Sequence, residues 1–278
     1  MPLKLMYITN DPKVANIAEA AGVDRIFVDM EYIGKADRQG GMDTVQSHHT
    51  PEDIKAVKSV LKTAKLMARC NPIHEMTDEY SSSEEEIERA IEAGADIIML
   101  PFFKTAEEVK KYVDYVGGRA KTLPLVETPE AVEHIDEILG IEGIDEVFVG
   151  LNDLSLGYGM KFMFELLANG TVEKLCKKFE AKGIPYGFGG IAALGKGMLP
   201  AERVIAEHYR LGSTCAILSR SFCNTNIVTD LDEIEKIFQN GLEEIRGYET
   251  FCEQQNEEFF EKNLSELKKA VENVKAKI

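Results

Sequence analysis

Eight short apolar runs alternate with helix-like segments along almost the whole chain, and this alternation limits the fold more than any other feature. The strand-like runs lie near Lys4–Ile8, Arg25–Met30, Lys65–Cys70, Asp96–Phe102, Leu123–Glu127, Glu146–Leu151, Pro185–Phe188 and Thr214–Leu218. Most are apolar without a polar alternate, the pattern of strands covered on both faces, as in a parallel sheet. Between them, helices are predicted near Val14–Ala21, Pro51–Thr63, Glu84–Ala93, Ala106–Val116, Pro129–Leu139, Val172–Ala181 and Ala201–Leu211. Thr50-Pro51-Glu52-Asp53 and Thr128-Pro129-Glu130 each place a cap, a first-turn proline and an acid in order. Strand–helix alternation repeated eight times predicts an α/β chain folded as a (β/α)8 TIM barrel. A doubly wound open sheet is the alternative, but no GxGxxG follows the first strand.

Two segments break the rhythm. Residues 32–49 form a polar stretch too long for an ordinary βα turn. The residues after 228 exceed what a barrel needs, so the expected division is a catalytic barrel over 1–228 and a helical extension over 229–278. In that extension Leu231, Ile234, Phe238, Leu242 and Ile245 form one apolar stripe, and Phe260, Leu264, Leu267, Val271, Val274 and Ile278 form another. A barrel already has its ring of helices. The stripes therefore ask for a further surface, either the same barrel or a second copy of the chain.

The chain has 278 residues and a formal net charge of −16. That balance argues against nucleic acid or an anionic membrane as partner. No run of 18 or more apolar residues suggests a membrane span, and the beginning of the chain lacks signal-peptide character. The five cysteines are scattered without CxxC spacing, as expected of reduced thiols in a cytoplasmic protein.

Glu127 ends the fifth strand and Asp153 follows the sixth, so in a barrel both approach one point above the mouth. Two hard oxygen ligands with no Cys or His beside them favour Mg²⁺ or Mn²⁺. The alternative is that each acid merely caps a neighbouring turn. The segment VETPEAVEHIDEILGIEGIDEVFVGLNDLSLGYG, read with its Glu-ended strand and its Gly-x-x-Asp-Leu-Ser, resembles the HpcH/HpaI aldolase and citrate lyase β-chain family. The resemblance implies a barrel that holds a divalent metal through Glu127 and Asp153. The implied activity is a lyase making or breaking the carbon–carbon bond of a hydroxy-oxo acid, with pyruvate as the enolate partner and an aldehyde as the other. A citrate-lyase-like or malyl-CoA-like lyase acting on a thioester, and a non-catalytic oxo-acid-binding barrel, are the competing readings. Leu125 and Leu151 stand where family aldolases often carry Gln and Pro.

Arg69, at the end of the third strand, is expected to stabilise the enolate, as the family's strand-end arginine does; the alternative is a pair with a neighbouring acid. Asp29-Met-Glu31 matches the family's Asp-x-Glu but Tyr32 stands where its histidine would be. His49, returned by an insertion, is the candidate acid or base, His48 being an equally basic neighbour, with Asp29 or Glu31 to orient it. Gly150, Asn152 and Asp153 are expected to line the substrate site. GIAALGKG (190–197) mimics a Walker motif but ends in Gly where a hydroxyl is required, which excludes ATP. Gly190, Lys196 and Arg220, with Lys35 and Arg38 in the inserted stretch, are candidates for holding a substrate anion. The resemblance also implies a homo-oligomer, trimer-based, in which an acid such as Glu92 approaches the next subunit's site.

Overall fold

The computed structural model describes residues 1–35 and 47–278. Its strands are β1 (Lys4–Ile8), β2 (Arg25–Asp29), β3 (Lys65–Arg69), β4 (Ile97–Leu100), β5 (Lys121–Val126), β6 (Val147–Val149), β7 (Tyr186–Ile191) and β8 (Cys215–Leu218). All pair in parallel and in chain order, and β8 returns to β1 with Lys4 opposite Cys215 and Tyr7 opposite Leu218. The sheet is a closed barrel, which rules out the open doubly wound alternative.

The strands read as unbroken apolar runs because they have two buried faces. Met6, Phe27, Met67, Met99, Leu123, Leu125 and Phe148 fill the lumen. Their neighbours Leu5, Ile26, Leu66, Ile98 and Val147 point outward under the helices. The lumen is thus a packed core and any site must sit at one of its ends. Helices start where the caps lie: Thr50 and Thr105 each form a capping box, with Asp53 and Glu108 respectively, and Thr128 accepts from the Ala131 N–H.

Several boundaries differ from expectation, β7 among them, and three bear on how the chain turns. The helix after β2 stops at Lys58, not Thr63. The helix after β5 breaks at His134 into Pro129–Glu133 and Ile135–Ile138. β6 ends at Val149, and Leu151 opens a short helix, Leu151–Gly157, instead of prolonging the strand. Leu151 is apolar because it packs against Gly189, where a Cβ would lie 2.7 Å from its Cδ1.

The terminal helices, Leu231–Glu253 and Glu257–Lys275, account for the two stripes. Ile234, Phe238, Leu242 and Ile245 are buried, and Phe238 meets Tyr7 edge-on at 4.8 Å. On the last helix Leu267 and Val271 are buried, and Asn263 donates to the Arg203 carbonyl and to Glu207, both at 3.1 Å. Most of both stripes packs on the chain's own core, while Ile278 stays 55% exposed beyond the last helix. Much of the surface that the stripes call for is therefore supplied within one chain. Among the described residues, no helix is long and apolar enough to cross a membrane.

Candidate active site

The mouth at the C-terminal ends of the strands gathers charged side chains in two groups. The first is Glu127 and Asp153. Capping of the Pro129–Glu133 helix falls to Thr128, and no side chain caps the helix that holds Asp153, so neither acid is used as a cap. Glu127 is 4% exposed, and its Oε1 accepts the Phe102 N–H at 2.9 Å. Phe102 is the one non-glycine with positive φ among the described residues (49°), a conformation disfavoured for a bulky side chain. That turn aims its amide at the carboxylate. Asp153, also buried, sits in the first turn of the Leu151–Gly157 helix, where a negative charge is favoured. Exposed Asn152 donates to its Oδ1 at 3.2 Å.

Gly150 lies between the two acids in the chain, and its missing side chain is what admits Glu127. A Cβ there would lie 2.6 Å from Glu127 Oε2 and 2.9 Å from Glu127 Cβ. Burial, followed by the charges of Glu31 and Asp153, pushes the Glu127 carboxyl well above the usual range; Arg69 and the Phe102 amide pull the other way. A cavity of about 540 Å³ opens beside the pair, lined also by Phe102, Lys104, Thr128 and Gly157.

The second group is Asp29, Glu31, Lys35 and Arg69. Arg69 donates through Nε and Nη2 to the two oxygens of Asp29, at 2.8 and 2.7 Å, and its Nε lies 3.3 Å from Glu31. Lys35 Nζ is 2.9 Å from Asp29 and 3.4 Å from Glu31. All four are buried or nearly so. Burial would raise the Asp29 carboxyl, but Arg69 and Lys35 outweigh it and hold it below the ordinary carboxylate range. Burial likewise works against the charge of Arg69, and Asp29 and Glu31 more than offset it. Arg69 therefore does pair with neighbouring acids, and it also feels the charge of Glu127.

His49 and His48 are separated by their surroundings. His49 Nδ1 accepts the Asp29 N–H at 3.0 Å, while exposed His48 lies beside Tyr32 with ring centres 6.4 Å apart. Burial lowers the basicity of His49, and Lys35 and His48 add to that against Asp29 and Asp53. With Nδ1 accepting, the neutral ring carries its proton on Nε2 and offers a hydrogen-bond donor there.

The remaining candidates are more dispersed. Gly190 lies inside β7, which runs past Phe188 to Ile191 across an irregular register, so it belongs to the ladder with β8 and not to a loop. Lys196 is exposed in the following turn and Arg220 is exposed after β8. Arg38 falls outside the described residues. Glu92 ends the helix leading into β4, at the far end of the barrel from its own mouth. Sequence reasoning missed Lys104, the αL turn at Phe102, and Asn71. The Asn71 side-chain oxygen accepts from the Tyr32 and Ile33 amides, both at 2.9 Å, and fixes how the long stretch leaves β2.

Among the described residues, no group of three or more His, Cys, Asp or Glu is arranged to hold a metal. The donor set is the Glu127–Asp153 pair. Two hard carboxylates suit Mg²⁺ or Mn²⁺, which retain waters and take the remaining ligands from substrate.

Residues 4–165 match the HpcH/HpaI aldolase/citrate lyase family. The chain belongs to that family. This aldolase-family chain is 23% identical over 206 residues to a 4-hydroxy-2-oxovalerate aldolase of Novosphingobium aromaticivorans, covering 63% of the chain and 71% of that protein. It is 22% identical over 179 residues to a hydroxypyruvate/pyruvate aldolase of Roseovarius nubinhibens, covering 54% and 62%. The crystal structure of an HpcH/HpaI aldolase from Desulfitobacterium hafniense superposes with a TM-score of 0.60 at 18% identity, over 84% of this chain and 93% of that one. Membership makes the chain a carbon–carbon lyase of the pyruvate-aldolase type.

Proposed function

We propose that this family member is a divalent-metal-dependent aldolase that cleaves or forms a free hydroxy-oxo acid, with pyruvate as the enolate partner and an aldehyde as the other. The observation that carries this reading is the buried Glu127–Asp153 pair on adjacent strand ends, within electrostatic reach of Arg69. Glu127 and Asp153 would hold Mg²⁺ or Mn²⁺, which when bound polarises the keto group of a pyruvate-like acid. Arg69, held in plane by Asp29, would stabilise the oxygen that gains charge as the carbon–carbon bond breaks. Neutral His49 would donate a hydrogen bond from Nε2 to an oxygen of the substrate, and Asp29 positions both Arg69 and His49. The names of the two relatives favour a free acid over a CoA thioester.

Residues 1–228 form the catalytic unit in this proposal and 229–278 its helical extension. Five buried free cysteines support a cytoplasmic setting. Self-assembly, trimer-based as the family resemblance implies, would use the apolar edge that Phe251, 43% exposed, leaves where the terminal helices meet. Light scattering on the full chain reads the mass directly.

Calorimetric titration with Mn²⁺ tests the site. Glu127→Gln and Asp153→Asn should each lose binding and pyruvate release while keeping the circular dichroism of the parent. Unchanged Mn²⁺ affinity in both variants would remove the proposal.

A further inference from the structure

The N-terminal end of the barrel carries a charge pattern that the chemistry at the mouth does not use. Successive residues alternate across a strand, so Lys4 shares the lumen face with Met6, Arg25 with Phe27, Lys65 with Met67 and Lys121 with Leu123. Glu146, one residue before β6, shares it with Phe148. The floor of the lumen thus has four cations and one carboxylate, in a chain whose formal net charge is −16.

The acids at this end are already engaged. Buried Glu146 accepts from Arg25 Nη2 at 2.7 and 2.8 Å, and Lys121 lies 3.6 Å from the same carboxylate. Asp24 accepts from Arg246 and from the Leu5 amide, and Asp96 accepts from Lys58 and from the Leu66 amide. The side-chain ammonium groups of Lys4 and Lys65 have no hydrogen-bond or ion-pair partner among the described residues, although both backbone amides are bonded, to the Thr214 and Asp24 carbonyls. Both line a cavity of about 370 Å³ with Arg25 and Lys121 and with the already engaged Asp24 and Asp96, ample for a small anion when one water occupies about 30 Å³ of liquid.

We propose that the barrel floor binds a small, multiply charged oxyanion of the phosphate class. Lys4 and Lys65 are its principal ligands, Lys121 is a third contact, and Arg25 stays tied to Glu146 as the fixed wall. Lysine ammonium groups act as point charges without a planar fork, which suits a tetrahedral oxyanion better than a flat carboxylate. Lys4 is half-buried and Lys65 and Lys121 stand exposed at the rim, so it is the convergence of like charges on one cavity that raises their attraction for an anion above that of an isolated surface lysine. The site lies at the opposite end of the lumen from Glu127 and Asp153, and its occupant is not the aldol substrate.

The test is calorimetry of the full chain with inorganic pyrophosphate, free of divalent metal. The expected result is one saturable site per chain that weakens as salt rises. The Lys4→Gln/Lys65→Gln variant should bind at least roughly tenfold more weakly, about 1.4 kcal/mol, with pyruvate release unchanged. Glu127→Gln should bind pyrophosphate like the parent. Lysine acylation of the parent, read by mass spectrometry, keeps the test independent of how the variants fold. Pyrophosphate should protect Lys4 and Lys65 but not exposed Lys262 on the last helix. Absence of saturable binding, undiminished binding in the double variant, binding lost in Glu127→Gln, or no protection of Lys4 and Lys65 would each overturn the proposal.

Discussion

Gly150→Ala perturbs the site by one methyl group, and its effect follows from distances. The Gly150 backbone (φ −82°, ψ 96°) is open to alanine, so the cost is steric only. The new Cβ would sit 2.6 Å from Glu127 Oε2, 2.9 Å from Glu127 Cβ and 3.2 Å from Leu125 Cδ1. To regain ordinary contact at about 3.4 Å, the carboxylate must retreat by roughly 0.8 Å. Its Cβ is crowded as well, so rotating the end of the side chain does not relieve the clash. Overpacking of this kind costs about 1–3 kcal/mol of stability, a fall of roughly 2–6 °C in Tm for a chain of this size. A displacement near 1 Å of a group that must meet substrate lowers rate by about 100-fold, or about 2.7 kcal/mol of barrier. Pyruvate release coupled to a reductase reads kcat/KM, and calorimetric titration reads Mn²⁺ affinity. Both should fall. Parent-like kcat/KM together with parent-like Mn²⁺ affinity would show that Glu127 does not need the space Gly150 provides.

Two further outcomes test the second charged group. Asp29→Asn removes the shared partner of Arg69 and Lys35 and should destabilise the fold at pH 7 by about 3–5 kcal/mol. Because the Asp29 carboxyl is held below its ordinary value, its stabilisation is complete above about pH 3.9 and is lost as pH falls through the folded value. Urea titrations across acid pH should show that loss in the parent and not in the variant. If His49 acts as a donor, His49→Gln should retain more activity than His49→Ala, since an amide can still donate. Equal loss in the two variants would return His49 to the role of base or of loop residue.

Eight strands could be read from the sequence because each is apolar on both faces, and the Thr-Pro caps marked helix starts within a residue or two. Leu151 misled the reading of β6: an apolar residue after Val149 looks like more strand, whereas it packs against Gly189 from a helix. The break at His134 left no signal in a segment of uniform helical pattern. Glu127 and Asp153 were legible because strand order alone makes them neighbours. The pairing of Lys35 with Asp29 and Glu31 depends on how the chain leaves β2, which Asn71 controls from β3, so no local pattern announces it. The αL turn at Phe102 is invisible for the same reason, since phenylalanine does not ordinarily adopt it. The terminal stripes announced a covered surface but not whose. Stripe periodicity is the same for a helix docked on its own barrel as for one docked on another subunit.

The dependence of turnover on a divalent ion tests the proposed chemistry most directly. The full chain, stripped with a chelator and then dialysed, should release no pyruvate from a 4-hydroxy-2-oxo acid. Adding Mg²⁺ or Mn²⁺ should restore release along a saturable curve, and the same addition should leave Glu127→Gln and Asp153→Asn inactive. Undiminished pyruvate release by the parent in excess chelator would contradict the assignment of Glu127 and Asp153 as metal ligands of a working aldolase.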